Sequence, residues 1–123
     1  MPTILVVEDE ADMVELLQLM LRMEPYTMLT APDGETALEI VHEQLPDLIL
    51  LDLMMPGMGG AAFYDELRSY EATADIPVII VTAHTSFDPE ERDYWMERGA
   101  KDYVIKPFAP ADLIERIRVV LNS

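Results

Sequence analysis

The chain is expected to fold as an α/β domain, a doubly wound five-stranded parallel sheet in the order 2-1-3-4-5 with helices on both faces. Two observations predict this. Short runs of β-branched and large aliphatic residues alternate five times with longer segments of helical periodicity, and parallel strands need such crossovers. Four of the five apolar runs also end in a side chain with chemistry to offer, namely Glu8-Asp9, Asp52, Thr82 and Lys106. Parallel strands share one carboxyl edge, and ligands of open sheets bind beyond it where strand order reverses.

The elements follow in order. Thr3 to Val7 is apolar and β-branched, a buried strand. Ala11 to Met23 has helix formers and apolar residues at 13, 16, 17, 20 and 21, and Pro25 closes it. Tyr26 to Ala31 is a weaker strand. Asp33-Gly34 reads as a turn, and Glu35 to Gln44 as a helix with Ala37, Leu38 and Val41 inward, ended by Pro46. Asp47 to Leu51 is a strand buried on both faces, since Leu48-Ile49-Leu50-Leu51 is unbroken. Pro56 and Gly57 stop it, and Ala61 to Ser69 is a helix. Ile76 to Val81 is again fully apolar and runs into Thr82-Ala83-His84. Asp88 suits an N-cap, Pro89 position N1 and Glu91 position N3, and Gly99 ends that helix. Asp102 to Ile105 is a short strand. Ala111 to Asn122 is a helix with Leu113, Ile114, Ile117, Val120 and Leu121 on one stripe.

With 123 residues, half of them hydrophobic, the chain suits a single domain over 1–123. There is no cysteine, hence no disulfide and no thiolate metal site. No apolar run approaches the ~20 residues of a membrane span, and the start lacks the basic region of a signal peptide. A cytoplasmic location is the expectation. The net charge is −16, from 24 acids and 8 bases. Direct contact with nucleic acid or an anionic membrane is therefore not expected, because both present phosphates.

Three carboxylates in one crevice repel each other unless a cation joins them. Oxygen-only ligands favour a hard ion, and magnesium uses one or two carboxylates together with phosphate oxygens. Lys106 offers a compact point charge for a phosphate oxygen, and Thr82 a hydroxyl donor. Asp52 is central and is the natural nucleophile, since carboxylates form acyl phosphates. The pattern points to magnesium-assisted phosphorylation of Asp52, driven by positioning and charge neutralisation.

Val7-Glu8-Asp9-Glu10, Leu51-Asp52-Leu53-Met54-Met55-Pro56-Gly57, Val81-Thr82-Ala83 and Tyr103-Val104-Ile105-Lys106-Pro107-Phe108 together resemble the receiver domain of two-component response regulators, over residues 3 to about 121. The resemblance implies a flavodoxin-like (βα)5 fold and a phosphorylation-dependent signalling switch rather than an enzyme. Asp52 would accept phosphate from a sensor histidine kinase or a histidine phosphotransfer protein. Asp9 would bind Mg2+ directly, Glu8 through water, and Asp52 and the Met54 carbonyl would complete the protein ligands. Lys106, Thr82 and the Ala83 amide would hold phosphoryl oxygens. Met54 and His84 would flank the attacking water and tune dephosphorylation. The Lys106-Pro107 bond would be cis. Thr82 would move to meet the phosphate and Tyr103 would swing inward behind it. Tyr103, Ile105, Arg92 and Met96 would then outline a partner surface on the fourth helix, fifth strand and fifth helix, for an output partner or a phosphorylation-dependent dimer of an otherwise monomeric chain.

Rival readings fit less well. A phosphatase of the haloacid dehalogenase type needs a second Asp where Met54 stands. A flavodoxin-like electron carrier cradles phosphate in its first strand-helix loop, but here that loop is Glu8-Asp9-Glu10. A receiver-like module that binds partners without phosphorylation keeps no use for an intact acidic site. Outside the site, His42 is expected to be exposed, most of the nine methionines to fill core, and Trp95 to be a partly buried packing residue.

Overall fold

Strands and helices alternate through the whole chain. A computed structural model describes residues 1–55, 57–83 and 89–122. The elements are β1 (Thr3–Val7), α1 (Ala11–Leu21), β2 (Thr27–Ala31), α2 (Gly34–Gln44), β3 (Leu48–Leu51), α3 (Gly59–Ser69), β4 (Val78–Ala83), α4 (Pro89–Glu97), β5 (Asp102–Lys106) and α5 (Pro110–Leu121). All strand pairs are parallel and the order is β2-β1-β3-β4-β5, as expected.

Side-chain alternation along each strand divides the core into two layers. Leu5, Val7, Ile49, Leu51, Val78, Ile80 and Tyr103 face one side, where Ala37 and Val41 of α2, Phe63, Tyr64 and Leu67 of α3, and Trp95 of α4 cover them. Ile4, Val6, Leu48, Leu50, Ile79, Val81 and Val104 face the other, under Leu17 and Leu21 of α1 and Leu113 and Ile117 of α5. Both faces of the inner strands are thus closed, which explains their unbroken apolar runs.

Register aligns the carboxyl ends. Val7 stands beside Ala31 on one side and Leu51 on the other, and Ala83 stands beside Lys106. The ladder continues one residue past the strands, with Glu8 N donating to Ala31 O at 3.0 Å and Asp52 N to Val7 O at 3.0 Å. Those two bonds pin Glu8 and Asp52 at the edge where the chain leaves the sheet.

Several local features differ from expectation. Helix α1 ends at Leu21 rather than Met23; Glu24 precedes Pro25 and is biased out of the helical region, so its N–H closes a turn on Leu21 O at 3.1 Å. Asp33 is an N-cap rather than a turn residue. Its carboxylate accepts from Thr36 N at 2.7 Å, so α2 begins at Gly34. Helix α3 begins at Gly59, two residues early. Leu16 was expected inward and is exposed, because it lies roughly 100° around the helix from Leu17, at the margin of the buried stripe. The methionines are not core. Met1, Met23, Met54 and Met96 are exposed, while Met13, Met20, Met28, Met55 and Met58 pack only against the edges of the core, where long unbranched side chains fill gaps. Trp95 is buried rather than partly so, in edge-to-face contact with Tyr64 and Tyr94. His42 is exposed as expected, with its ring edge-on to Tyr70. The Asp88 cap lies outside the described residues, and Gly99, with φ +100°, follows the end of α4.

Candidate functional site

Only four polar or charged residues are buried among the described residues, and three of them, Glu8, Asp52 and Thr82, sit at strand ends on one edge of the sheet. The fourth, Thr73, has an ordinary explanation, since its hydroxyl donates to Leu67 O at 2.6 Å. Buried polar groups cost stability unless paired, so their collection here requires a cause.

Lys106 is the nearest cation. Its Nζ donates to Glu8 Oε1 at 2.8 Å and lies 3.5 Å from Asp52 Oδ2. The ammonium comes from the last residue of β5, one strand removed from β3, and reaches across the end of β4. Asp52 Oδ1 accepts from Met54 N at 3.0 Å. Burial, then the Asp52 hydrogen bond and charge, push the Glu8 carboxyl up to about 8, against the opposing pull of Lys106. Burial alone would lower Lys106, but Glu8, Asp52 and Glu10 together hold it above the usual lysine value.

The carboxylates of Glu8, Glu10 and Asp52 offer oxygen atoms within 4.8 Å of one another. Glu10 was missed in the sequence reading, although a signal was there. Glu10 is extended, with φ −82° and ψ 114°, and alternate residues of extended chain share a side. Glu8 and Glu10 therefore face Asp52, whereas Asp9 is exposed and stands outside this trio. Glu8 and Asp9 both line an adjoining groove of about 700 Å³ between α1 and the end of β2, together with Gln18 and Arg22. The oxygen-only donor set suits a hard divalent cation, and three mutually repelling carboxylates with one ammonium still leave an excess of negative charge.

Thr82 Oγ1 is fully buried and has no hydrogen-bond partner. Ala83, the next residue, is exposed at the end of β4 beside Lys106. Met54 is exposed. Tyr103 is already inward, 6% exposed and packed in the same layer as Trp95, with Ile105 on that side too. Arg92 and Met96 are exposed on α4. His84 and Pro56 lie outside the described residues. The Lys106-Pro107 bond is cis, as the resemblance implied.

Gly60 sets the height of the loop that carries Asp52. A Cβ at Gly60 would stand 2.5 Å from Asp52 O and 2.6 Å from Leu53 Cα, so only glycine lets the start of α3 pack onto that backbone.

The model of the response regulator receiver domain family matches residues 4–118. The chain belongs to this family. The receiver domain is 42% identical over 119 residues to the phosphate regulon transcriptional regulatory protein PhoB of Escherichia coli, covering 97% of this chain and 51% of PhoB. It is equally similar to the DNA-binding response regulator MtrA of Mycobacterium tuberculosis, covering 97% of this chain and 50% of MtrA. Among solved structures, a putative response regulator from Chloroflexus aurantiacus superposes with a TM-score of 0.90 at 33% identity, covering 99% and 98% of the two chains. The chain spans about half the length of the curated relatives it matches. No helix among the described residues is long and apolar enough to cross a membrane.

Proposed function

We propose that this receiver domain is a cytoplasmic switch in which Asp52 accepts a phosphoryl group from the phosphoimidazole of a sensor histidine kinase or phosphotransfer protein. The observation that carries the reading is the meeting of buried Asp52, half-buried Lys106 and the buried, unpartnered Thr82 hydroxyl at one edge of the sheet. In the transfer, the donor's P–N bond breaks as an O–P bond forms on Asp52, and the electron pair leaves with the imidazole. Lys106 and the Ala83 amide accept the new oxygens' charge, and Thr82 gains the partner that its hydroxyl lacks. Glu8, Asp9, Asp52 and the Met54 carbonyl would hold Mg2+, and Glu10, whose carboxylate lies near those of Glu8 and Asp52, would join them. When bound, the ion supplies charge neutralisation between carboxylates and phosphate. The residues at 54 and 84 would tune the reverse hydrolysis.

The output follows from packing. Movement of Thr82 toward the phosphate changes the space against β5, and Tyr103 shifts between two packings. The α4-β5-α5 surface, including Arg92, Met96 and Ile105, would carry that change to an output partner or a second copy. The test is intact mass after incubation with acetyl phosphate and Mg2+. A metal-dependent gain of one phosphoryl group in the wild type, absent in Asp52→Ala, is expected. A gain that persists in Asp52→Ala, or none in the wild type even under rapid quench, would overturn the assignment and leave a phosphorylation-independent binding module.

A further inference from the structure

Three of the eight basic residues meet at the opposite end of the sheet. Arg68, Arg98 and Lys101 line one cavity of about 290 Å³ with Ala74, Asp75 and Gly99. Arg68 lies at the end of α3, Asp75 just before β4, and Arg98 and Lys101 between α4 and β5. This places the cavity at the amino edge, while Asp52 is at the carboxyl edge.

The cations around it are not neutralised. Among the described residues Arg92, Lys106, Arg116 and Arg118 each have a carboxylate within ion-pair distance. Among the described residues no such pair involves Arg22, Arg68, Arg98 or Lys101, and the Asp75 carboxylate in the same wall is not within that distance of the last three. In a chain with 24 acids, leaving three cations unpaired around one cavity is the reverse of what the composition would produce.

Both guanidinium groups are also held in place. Arg68 Nε donates to Tyr64 Oη at 3.3 Å and Nη1 to Ile76 O at 2.8 Å. Arg98 stacks 3.4 Å from the Tyr94 ring centroid and donates from Nη1 to Tyr94 O at 3.1 Å. Tyr64 Oη in turn donates to Arg98 O at 2.8 Å. Neither Nη2 group has a hydrogen-bond partner among the described residues, and both forks are already held, which lowers the entropy lost on binding. Lys101 is exposed at its side chain, while its N–H is anchored on Val78 O at 2.8 Å.

We propose that this cavity binds a small phosphate dianion, free or as a monoester. The two arginine forks and the lysine supply charge-assisted donors. Asp75 accepts from a hydroxyl, either that of hydrogenphosphate or one on the ester's substituent. The volume holds a phosphate with a small substituent. The surrounding negative surface repels the same anion elsewhere, so the cavity is also where it is steered. This site is independent of Asp52 and of the phosphorylation reading.

The single tryptophan reports on the site, because Trp95 touches both Tyr94 and Tyr64. The experiment titrates the metal-free protein with inorganic phosphate, and separately with glycerol 3-phosphate, at ionic strength held constant with chloride. Trp95 fluorescence and backbone amide shifts are read together. Saturable changes centred on the Ala74, Gly99 and Lys101 amides are expected. Lys101→Ala and Arg98→Gln should each weaken binding about tenfold, the scale of one charge-assisted hydrogen bond, while Arg118→Gln leaves it unchanged. The arm that saturates at lower concentration assigns free phosphate or ester as the ligand. Non-saturating changes, an equal response to chloride, unchanged affinity in folded Lys101→Ala, or shifts centred on Ala83 and Lys106 would each overturn the proposal.

Discussion

Replacing Gly60 by alanine separates the packing that positions Asp52 from the chemistry of Asp52 itself. The added Cβ would stand 2.5 Å from Asp52 O and 2.6 Å from Leu53 Cα, where ordinary contact begins at 3.4 Å. Both obstacles are backbone, so the β3-α3 loop must move by most of an ångström. Overpacking of this kind costs about 1–3 kcal/mol, and the gain from alanine over glycine inside a helix returns roughly 1 kcal/mol. A net loss of up to about 2 kcal/mol is expected in urea unfolding. The functional loss should be larger than the stability loss. A displacement near 1 Å at a reacting group can cost on the order of 100-fold in rate, and the shifted carbonyl belongs to Asp52. Gly59→Ala is the control: nothing lies within 4 Å of its Cβ, but its φ of +73° makes any side chain strained. That variant should lose about 1 kcal/mol of stability and keep its rate of phosphorylation by acetyl phosphate. If Gly60→Ala were as stable and as reactive as wild type, the close approach would not be what seats Asp52.

Thr82→Val removes a buried hydroxyl that has no partner, so stability should rise by about 1 kcal/mol in chemical denaturation; on the proposed reading, adding beryllofluoride, a phosphoryl mimic, should change Trp95 fluorescence less in this variant than in the wild type. Glu8 is held up to about 8, above the ordinary glutamate value of 4.5; the folded state then binds the extra proton, so metal-free stability should fall as pH rises between those values, by on the order of 5 kcal/mol at most. Glu8→Gln should flatten that slope, and a wild-type slope of opposite sign would refute the assignment. Asp33 has the reverse sign: the Thr36 N–H bond lowers its carboxyl, so its capping contribution is present above the ordinary carboxylate range and is lost as pH falls through the lowered value. Asp33→Ala should therefore be destabilised at neutral pH and converge on wild type in acid, read by thermal unfolding.

Much of the fold was legible because parallel strands buried on both faces leave little ambiguity. Leu48-Ile49-Leu50-Leu51 and Val78-Ile79-Ile80-Val81 have no polar side to misplace, and whatever follows them must emerge at one edge. That argument reached Glu8, Asp52, Thr82 and Lys106 without coordinates. It failed where side-chain direction decides. Glu10 stands with Glu8 and Asp52 because the chain is still extended at Glu10, three residues past the end of the strand. The width of a buried stripe is equally invisible to periodicity, which is why Leu16 and the methionines were placed too deep. Asp33 was read as a turn because Asp-Gly suits both a turn and a cap, and only the Thr36 N–H distinguishes them. The basic cavity was out of reach, since Arg68, Asp75, Arg98 and Lys101 come from separate loops and nothing local marks them as neighbours.

The site is also the place where the chain departs from the rules that the rest of it obeys. Elsewhere apolar residues fill both core layers and the buried hydroxyl of Thr73 is satisfied. At the carboxyl edge a hydroxyl is left unpartnered, a glutamate is pushed toward neutrality and a lysine serves two carboxylates at once. An unpaired buried hydroxyl costs about 1–3 kcal/mol, and such costs persist where function needs them. The arrangement is unfavourable in a way that one ligand set would relieve. On the proposed reading a divalent cation would take up the surplus negative charge around Glu8, Glu10 and Asp52, and a phosphoryl group on Asp52 would give the Thr82 hydroxyl the partner it lacks. On that reading, unmet pairing in the resting state would become the differential affinity that shifts Thr82, and with it the packing of Tyr103, without any new element having to form.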